Sequence, residues 1–249
     1  TTLGEFTVRR GDDEVKDEEW TRDKARRLLM ILLVNRGKFV SYEQLIDMLW
    51  PDKTQEKGKQ NLKVTVNTLN RILEPHRKGQ QPFFVKRSAF GYGLINTDNI
   101  VVDVDRFQEQ IHIGLQYLES NYDVAYEILE SALSLYKGEF LPEAAYEDWV
   151  TGERESLNKL FLETGEKLAQ MYLEHKDYDK CLEICELLLR HDSCREEVYH
   201  IMISCYLKLK QKTLAVQAYN RCKENLARHL AIRPSRDLFI LIKNNIAGL

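Results

Sequence analysis

Between Gln60 and Arg71 the chain reads QNLKVTVNTLNR, which sets out two faces of one helix. Leu62, Val66, Leu69 and Leu73 recur at i, i+4, i+7 and i+11, the apolar stripe of an α-helix. At about 100° per residue the opposite side carries Gln60, Val64, Asn67, Thr68 and Arg71, with Asn61 and Lys63 on its shoulders. That face holds amides, a hydroxyl, a guanidinium and an ammonium, and no carboxylate until Glu74. Amides and Arg make bidentate contacts with adenine and guanine edges, and a valine touches a thymine methyl. The chemistry on offer is base recognition in a DNA groove. A solvated helix face is the plainer alternative.

Other chemistries find little support. No GxxxxGK[ST] loop, HExxH pair or GxSxG elbow occurs, so no catalytic residue and no cofactor is predicted. Cys181 and Cys185 share a helix face, with His191, Cys194 and His200 close in sequence. Zinc sites usually carry closer cysteine pairs, and Cys181 and Cys185 align with Ala215 and Tyr219 in the repeats described below. They read as buried packing residues, and no metal is predicted. All five cysteines follow residue 180, an odd number that fits reduced thiols in a cytoplasmic protein. No apolar run approaches a membrane span and no signal-peptide pattern is present, so no membrane partner is expected. The chain opens on Thr1 rather than Met, as a fragment or processed chain does.

The elements around the candidate helix supply its context. Thr21 is placed to cap a helix whose stripe is Ala25, Leu28, Leu29, Leu32 and Leu33, and Asn35-Arg36-Gly37 stops it. Ser41 is an N-cap with Gln44 at the capping-box position, opening a helix that buries Leu45, Ile46, Leu49 and Trp50 before Pro51. Beyond the third helix, FFVKRSAFGYGLI reads as two short apolar strands joined by a basic loop. Lys86 and Arg87 are its cations, and Gly91-Tyr92-Gly93 reads as a tight strand turn. Three helices and a hairpin are the order of a winged helix-turn-helix, with a recognition helix near 58–73 and a wing near 83–95.

Residues 3–97 resemble the OmpR-like winged helix of bacterial transcription factors. The resemblance rests on the opening LGEFTVRR strand, the RRLLMILLVNRGKFVSYEQLIDMLWPD run, the NLKVTVNTLNRIL helix and the KRSAFGYGL wing. Thr68 and Asn70 stand where that family usually carries arginines. Charge divides accordingly. Residues 1–98 hold 18 Lys and Arg against 14 Asp and Glu, a net of +4, and residues 99–249 hold 18 against 25, a net of −7. A basic reader joined to an acidic interaction module fits those signs. The acidic segment 11–19 reads as a solvated loop near an edge strand.

Past residue 98 the chain repeats itself. Tyr172-Leu173-Glu174 precedes Tyr178-Asp179-x-Cys181, and Tyr206-Leu207-Lys208 precedes Lys212-Thr213-x-Ala215, 34 residues on. Tyr117-Leu118-Glu119 before Tyr122-Asp123-x-Ala125 is a third copy, one residue shorter in its turn. This is the period of a tetratricopeptide repeat. A large aromatic on the first helix of each pair should pack on a small residue of the second, with Ala132, Leu188 and Cys222 at the next equivalent position. The segments GEFLPEAAYEDWVTGERESL, HDSCREEVYHIMISCYL and AVQAYNRCKENLARHLAIRPSRDLFIL resemble the bacterial transcriptional activation domain. That module follows an OmpR-like winged helix in the Streptomyces antibiotic regulatory protein class. Lys210 lies where its turn often has Gly.

The expected fold is mainly α with small β elements: a winged helix-turn-helix over 1–98 and a tetratricopeptide-like helical domain over 99–249. The resemblance implies a transcriptional activator that binds double-stranded promoter DNA at direct repeats, where a dimer is one arrangement. It also implies contact with RNA polymerase or another regulatory protein or domain. Residues 1–98 alone are expected to keep sequence preference and lose activation. Tyr146 and Trp149, at a helix junction, are candidates for protein contact, although aromatics at junctions usually pack as core. An interaction scaffold that has lost DNA reading is the alternative, suggested by Thr68 and Asn70.

Overall fold

The computed structural model describes residues 1–20, 23–77, 79–95, 97–118 and 120–246; the expected cap at Thr21 lies outside the described residues. The chain forms two compact units, residues 1–109 with 134–157, and residues 110–133 with 158–249.

In the first unit, α1 (Asp23–Val34) is apolar on all sides beyond its first turn, and Leu28 to Leu33 are all buried. It stops where expected, with Gly37 at φ +76° donating to Leu94 O at 2.8 Å. Strand β3 (Phe39–Ser41) leads into α2 (Tyr42–Leu49) through the capping box: Gln44 N donates to Ser41 Oγ at 3.1 Å, and Ser41 N donates to Gln44 Oε1 at 3.2 Å. The third helix, α3 (Gln55–Leu73), begins a turn earlier than the sequence suggested. Gly58 makes that turn possible, because a Cβ there would sit 2.4 Å from Ile46 Cγ2 of α2. The two helices approach closely at this point.

Strands β4 (Val85–Arg87) and β5 (Gly91–Leu94) form the expected hairpin, but β5 is the centre of a three-stranded antiparallel sheet ordered β3-β5-β4. Two readings are corrected here. Lys86 and Arg87 lie in β4 itself rather than in a basic loop. Gly91 and Gly93 are strand residues, and the turn is made at Ser88, whose Oγ accepts from Gly91 N at 3.0 Å. A Cβ at Gly91 would stand 1.8 Å from Val40 O, and one at Gly93 would stand 2.5 Å from Lys38 O. Both glycines let β3 lie against β5.

The opening LGEFTVRR segment is not one continuous strand. Gly4 at φ +92° turns it, so that Leu3 bridges to Phe140 and only Arg9–Arg10 (β1) pairs with Asp13–Glu14 (β2). The acidic segment around β2 is exposed apart from buried Val15 and half-buried Glu19, with half-buried Trp20 beyond it.

Later parts of the chain complete this unit. Asp103 accepts from Thr2 N at 2.7 Å, Thr2 Oγ1 at 2.6 Å and Leu3 N at 2.9 Å. Asp105 pairs with Arg36 and Glu147 with Arg27. Arg154 donates to the carbonyls of Phe140 and Leu141 at 3.0 and 2.8 Å. Lys24 and Arg27 in turn donate to Leu49 O and Met48 O at the C-terminus of α2, where positive charge suits the helix dipole.

The helices α4 (Asp103–Tyr117), α5 (Tyr122–Leu135) and α6 (Asp148–Glu174) begin in one compact unit or end in the other. The second unit continues with α7 (Tyr178–His191), α8 (Glu196–Lys208), α9 (Lys212–Leu230) and α10 (Arg236–Asn245). The repeat is written into its turns. Asp177 N donates to Tyr172 O at 2.9 Å with Lys176 at φ +64°, and Gln211 N donates to Tyr206 O at 2.8 Å with Lys210 at φ +59°. Each is a Schellman closure with lysine where glycine is easiest. Ala125, Cys181 and Ala215 are fully buried, as are Ala132, Leu188 and Cys222. The aromatic positions are less uniform. Tyr172 is buried, Tyr206 is half-buried, and Tyr117 remains 42% exposed, which corrects the expectation of a packed aromatic in the first copy.

The cysteines lie in this unit as thiols. Cys181, Cys185, Cys205 and Cys222 are buried and Cys194 is half-buried. Burial pushes the Cys222 thiol up to about 12, and hydrogen bonding to Cys185 with burial does the same at Cys181. Such thiols stay protonated and make poor nucleophiles or metal ligands. Among the described residues no cluster of three or more Cys, His, Asp or Glu side chains could hold a metal, and no helix is long and apolar enough to cross a membrane.

Candidate nucleic-acid interface

Helix α3 is amphipathic as its spacing requires. Leu62, Val66 and Leu69 of the expected stripe are buried, but Leu73 is half-buried and Ile72 takes the buried place at that end, together with Thr65, whose Oγ1 donates to Asn61 O at 2.9 Å. Gln60, Asn61, Lys63, Val64, Asn67 and Arg71 are exposed along the other side. Val64 shows 45% of its surface, which is unusual for a valine on a helix with so well-filled an apolar face. From Lys57 to Arg71 this helix presents no carboxylate.

Thr68 departs from the expected face. It is 4% exposed, and its Oγ1 lies 3.5 Å from Arg71 Nη2. One step of 100° from Asn67 carries it onto the side occupied by Leu69 and Ile72, so it steadies the Arg71 guanidinium instead of facing outward. Lys57 and Lys59, exposed on the first turns of α3, add two cations outside the expected face. The charge count of QEKGKQ was the signal for them.

In the hairpin the two expected cations behave differently. Arg87 is exposed, and its Nε donates to Tyr42 Oη at 3.0 Å. Tyr42 Oη donates to Ser88 O at 3.0 Å, which fixes the phenol. The hydrogen bond from Arg87 to Tyr42 raises the already high Arg87 pKa and keeps the guanidinium charged. Lys86 is half-buried, and its Nζ donates to Pro82 O at 2.7 Å and lies 5.8 Å from the Phe83 ring centre. Its charge is partly committed within the protein. Phe90 at the hairpin tip is 57% exposed and meets Phe39 edge-on, with ring centres 6.0 Å apart.

The junction aromatics also separate. Tyr146 is fully exposed, against the expectation that junction aromatics pack as core, while Trp149 is half-buried and donates through Nε1 to Glu147 Oε2 at 3.0 Å.

Residues 102–244 match the family described as bacterial transcriptional activator domain, and residues 17–94 match that described as transcriptional regulatory protein, C terminal. The first and second matches meet between 94 and 102, whereas packing carries the first compact unit on to residue 109 and adds 134–157. Among curated proteins, the transcriptional regulatory protein MoaR1 of Mycobacterium tuberculosis is 24% identical over 213 residues, covering 85% of this chain and 68% of MoaR1. The transcriptional regulator RedD of Streptomyces coelicolor is 25% identical over 229 residues, covering 85% of this chain and 60% of RedD. Among solved structures, Mycobacterium tuberculosis EmbR in complex with a low-affinity phosphopeptide superposes with a TM-score of 0.79 at 22% identity. It covers 98% of this chain and 63% of EmbR. At that identity the superposition speaks for the fold.

Proposed function

This chain belongs to the bacterial transcriptional activator domain family and is a transcriptional regulator rather than an enzyme, and we propose that it is a sequence-specific activator reading promoter DNA through α3 and the β4–β5 hairpin. The observation that carries this reading is the outward side of α3, where an exposed Val64 stands among Gln60, Asn61, Asn67, Lys63 and Arg71 with no carboxylate between them. Amides and the Arg71 guanidinium suit base edges, and Val64 suits a thymine methyl. Lys57, Lys59, Lys63 and Arg87 suit phosphates on either side. Lys86 contributes less, because Pro82 O already holds its ammonium.

The helical repeats serve as the protein-contacting half, toward RNA polymerase or another regulatory protein. Full exposure of Tyr146, in the 134–157 segment that packs with the first unit, supports a further protein contact from that unit, with Trp149 beside it in sequence. The phosphopeptide bound by EmbR supports a peptide partner for that relative, and by extension a protein partner for this one. The working compartment is the cytoplasm, where promoter DNA is, and a dimer on direct repeats would double the contact surface of one small reading head.

The test is selection of bound fragments from genomic DNA, followed by footprinting and substitution. Asn67→Ala should cost roughly 1–3 kcal/mol on the best site and little on random duplex. Equal losses on both would reassign Asn67 to backbone positioning. Absence of any preference over scrambled duplex would leave the scaffold reading in its place.

A further inference from the structure

Behind the reading head, wholly within the first unit, lies a cavity of about 930 Å³, within the roughly 300–1,000 Å³ usual for small-molecule sites. Its floor is apolar: Leu29 and Leu33 of α1, Leu73 at the end of α3, Phe84 and Leu94. Its mouth is cationic, with Arg9, Arg10, Arg106 and Lys137. Arg9 and Arg10 are compensated by Glu14 and Glu19. Among the described residues no carboxylate lies within ion-pair distance of Arg106 or Lys137, and both are exposed. Asp103, the one carboxylate in the lining, is already occupied by Thr2 N, Thr2 Oγ1 and Leu3 N.

We propose that this cavity is a binding site for a single-chain organic carboxylate, whose head sits between Arg106 and Lys137 and whose tail lies on Leu29, Leu33, Phe84 and Leu94. The chemistry follows from the lining. The leucines and Phe84 offer a tail nothing to hydrogen-bond, Thr1, Thr2, Thr7 and Asn99 are the uncharged polar residues of the lining, and Arg106 and Lys137 carry positive charge without a carboxylate partner, so an anion gains what a neutral or cationic head does not. Leu73 is the last residue of α3 and Leu94 the last of β5, so the occupant touches the back of both DNA-facing elements. Occupancy therefore changes DNA affinity. This second half rests on the DNA-reading function proposed above; the binding site does not.

Dodecanoate, dodecanol and dodecyltrimethylammonium, each below its micelle concentration, are titrated calorimetrically into the full chain without DNA. Dodecanoate should bind one to one and the other two at least tenfold more weakly. Arg106→Gln with Lys137→Gln should weaken dodecanoate by about ten- to a hundredfold, the range for lost charged hydrogen bonds. Val101→Glu places a like charge at a mouth residue that is 67% exposed, and should do the same without touching the core. Equal binding of dodecanol, several molecules per chain, or unchanged affinity in these natively folded variants would overturn the site. On the best DNA fragment, saturating dodecanoate should shift affinity by about fivefold or more. No shift despite binding would overturn the regulatory half alone, and loss of DNA preference without ligand would instead count against the DNA-reading function.

Discussion

In the unit that carries α3, side chains far along the sequence hold backbone near its start: Asp103 takes Thr2 N and Leu3 N, and Glu143 takes Phe6 N. In the repeat unit the closing bonds are local and recur, Asp177 N to Tyr172 O and Gln211 N to Tyr206 O. The same contrast governs tight places. In left-handed turns the first unit puts Gly4, Gly11, Gly37 and Gly79, with Leu141 as its exception, while the second puts Lys176, Lys210 and Ala231 there. Contacts that occur once cannot be shared out, so each is expensive to lose. A contact that recurs can be mediocre in every copy.

Four measurements would break or sharpen that contrast. Gly91→Ala should have the largest effect, about 3 kcal/mol or more, because its Cβ would meet the Val40 carbonyl and part β3 from β5. Hydrogen exchange should show the loss in the hairpin while the repeat helices keep their protection. Asp103→Ala comes next at about 2 kcal/mol, leaving three donors at Thr2 and Leu3 unanswered. Equal loss of protection in α8 and α9 would mean that the two units do not differ as described.

The third measurement is an alkaline titration of the repeat unit. Its buried Cys181 and Cys222 thiols titrate at about 12 in the folded chain, against 9.0 when free. Above pH 9 the unfolded chain sheds protons that the folded one keeps, so stability is whole below that pH and falls as pH rises toward 12. The slope is about 1.4 kcal/mol per pH unit for each such thiol, and Cys222→Ala should flatten it. The smallest effect is a gain. Lys176→Gly or Lys210→Gly relieves a left-handed residue but frees the unfolded chain, for a net of about 0.5 kcal/mol each, read by urea denaturation. A loss would show that these lysines make contacts beyond their turns.

Much of this is legible in the amino-acid sequence. The i, i+4, i+7 spacing in α3, the Ser41–Gln44 box and the stop at Gly37 are local signals, and each appears where the sequence puts it. The 34-residue period placed Cys181 and Ala215 in the core because small buried residues recur with the repeat. Thr68 reads as outward because it borders the outward face, and the one 100° step past Asn67 that buries it is decided by the packing around Leu69 and Ile72. The glycines of β5 were misread because the strand they approach, β3, is distant in sequence. Nothing in the sequence of 3–8 announced that Gly4 would turn the opening segment toward Phe140. The Asp103, Asp105 and Glu147 contacts were invisible for the same reason, and a cut at residue 98 would remove all three.

The division of the first unit into 1–109 and 134–157 has a consequence for how the protein is made. A chain leaving the ribosome at about 5–20 residues per second exposes α1 to β5 well before Phe140, Glu143 and Glu147 exist. Until then Phe6 N lacks its Glu143 partner and Arg27 lacks Glu147, so the first unit is complete only several seconds after its own α1, α2 and α3 have emerged. A synonymous change that slows translation between the two segments would lengthen that interval without altering a single residue of the finished molecule.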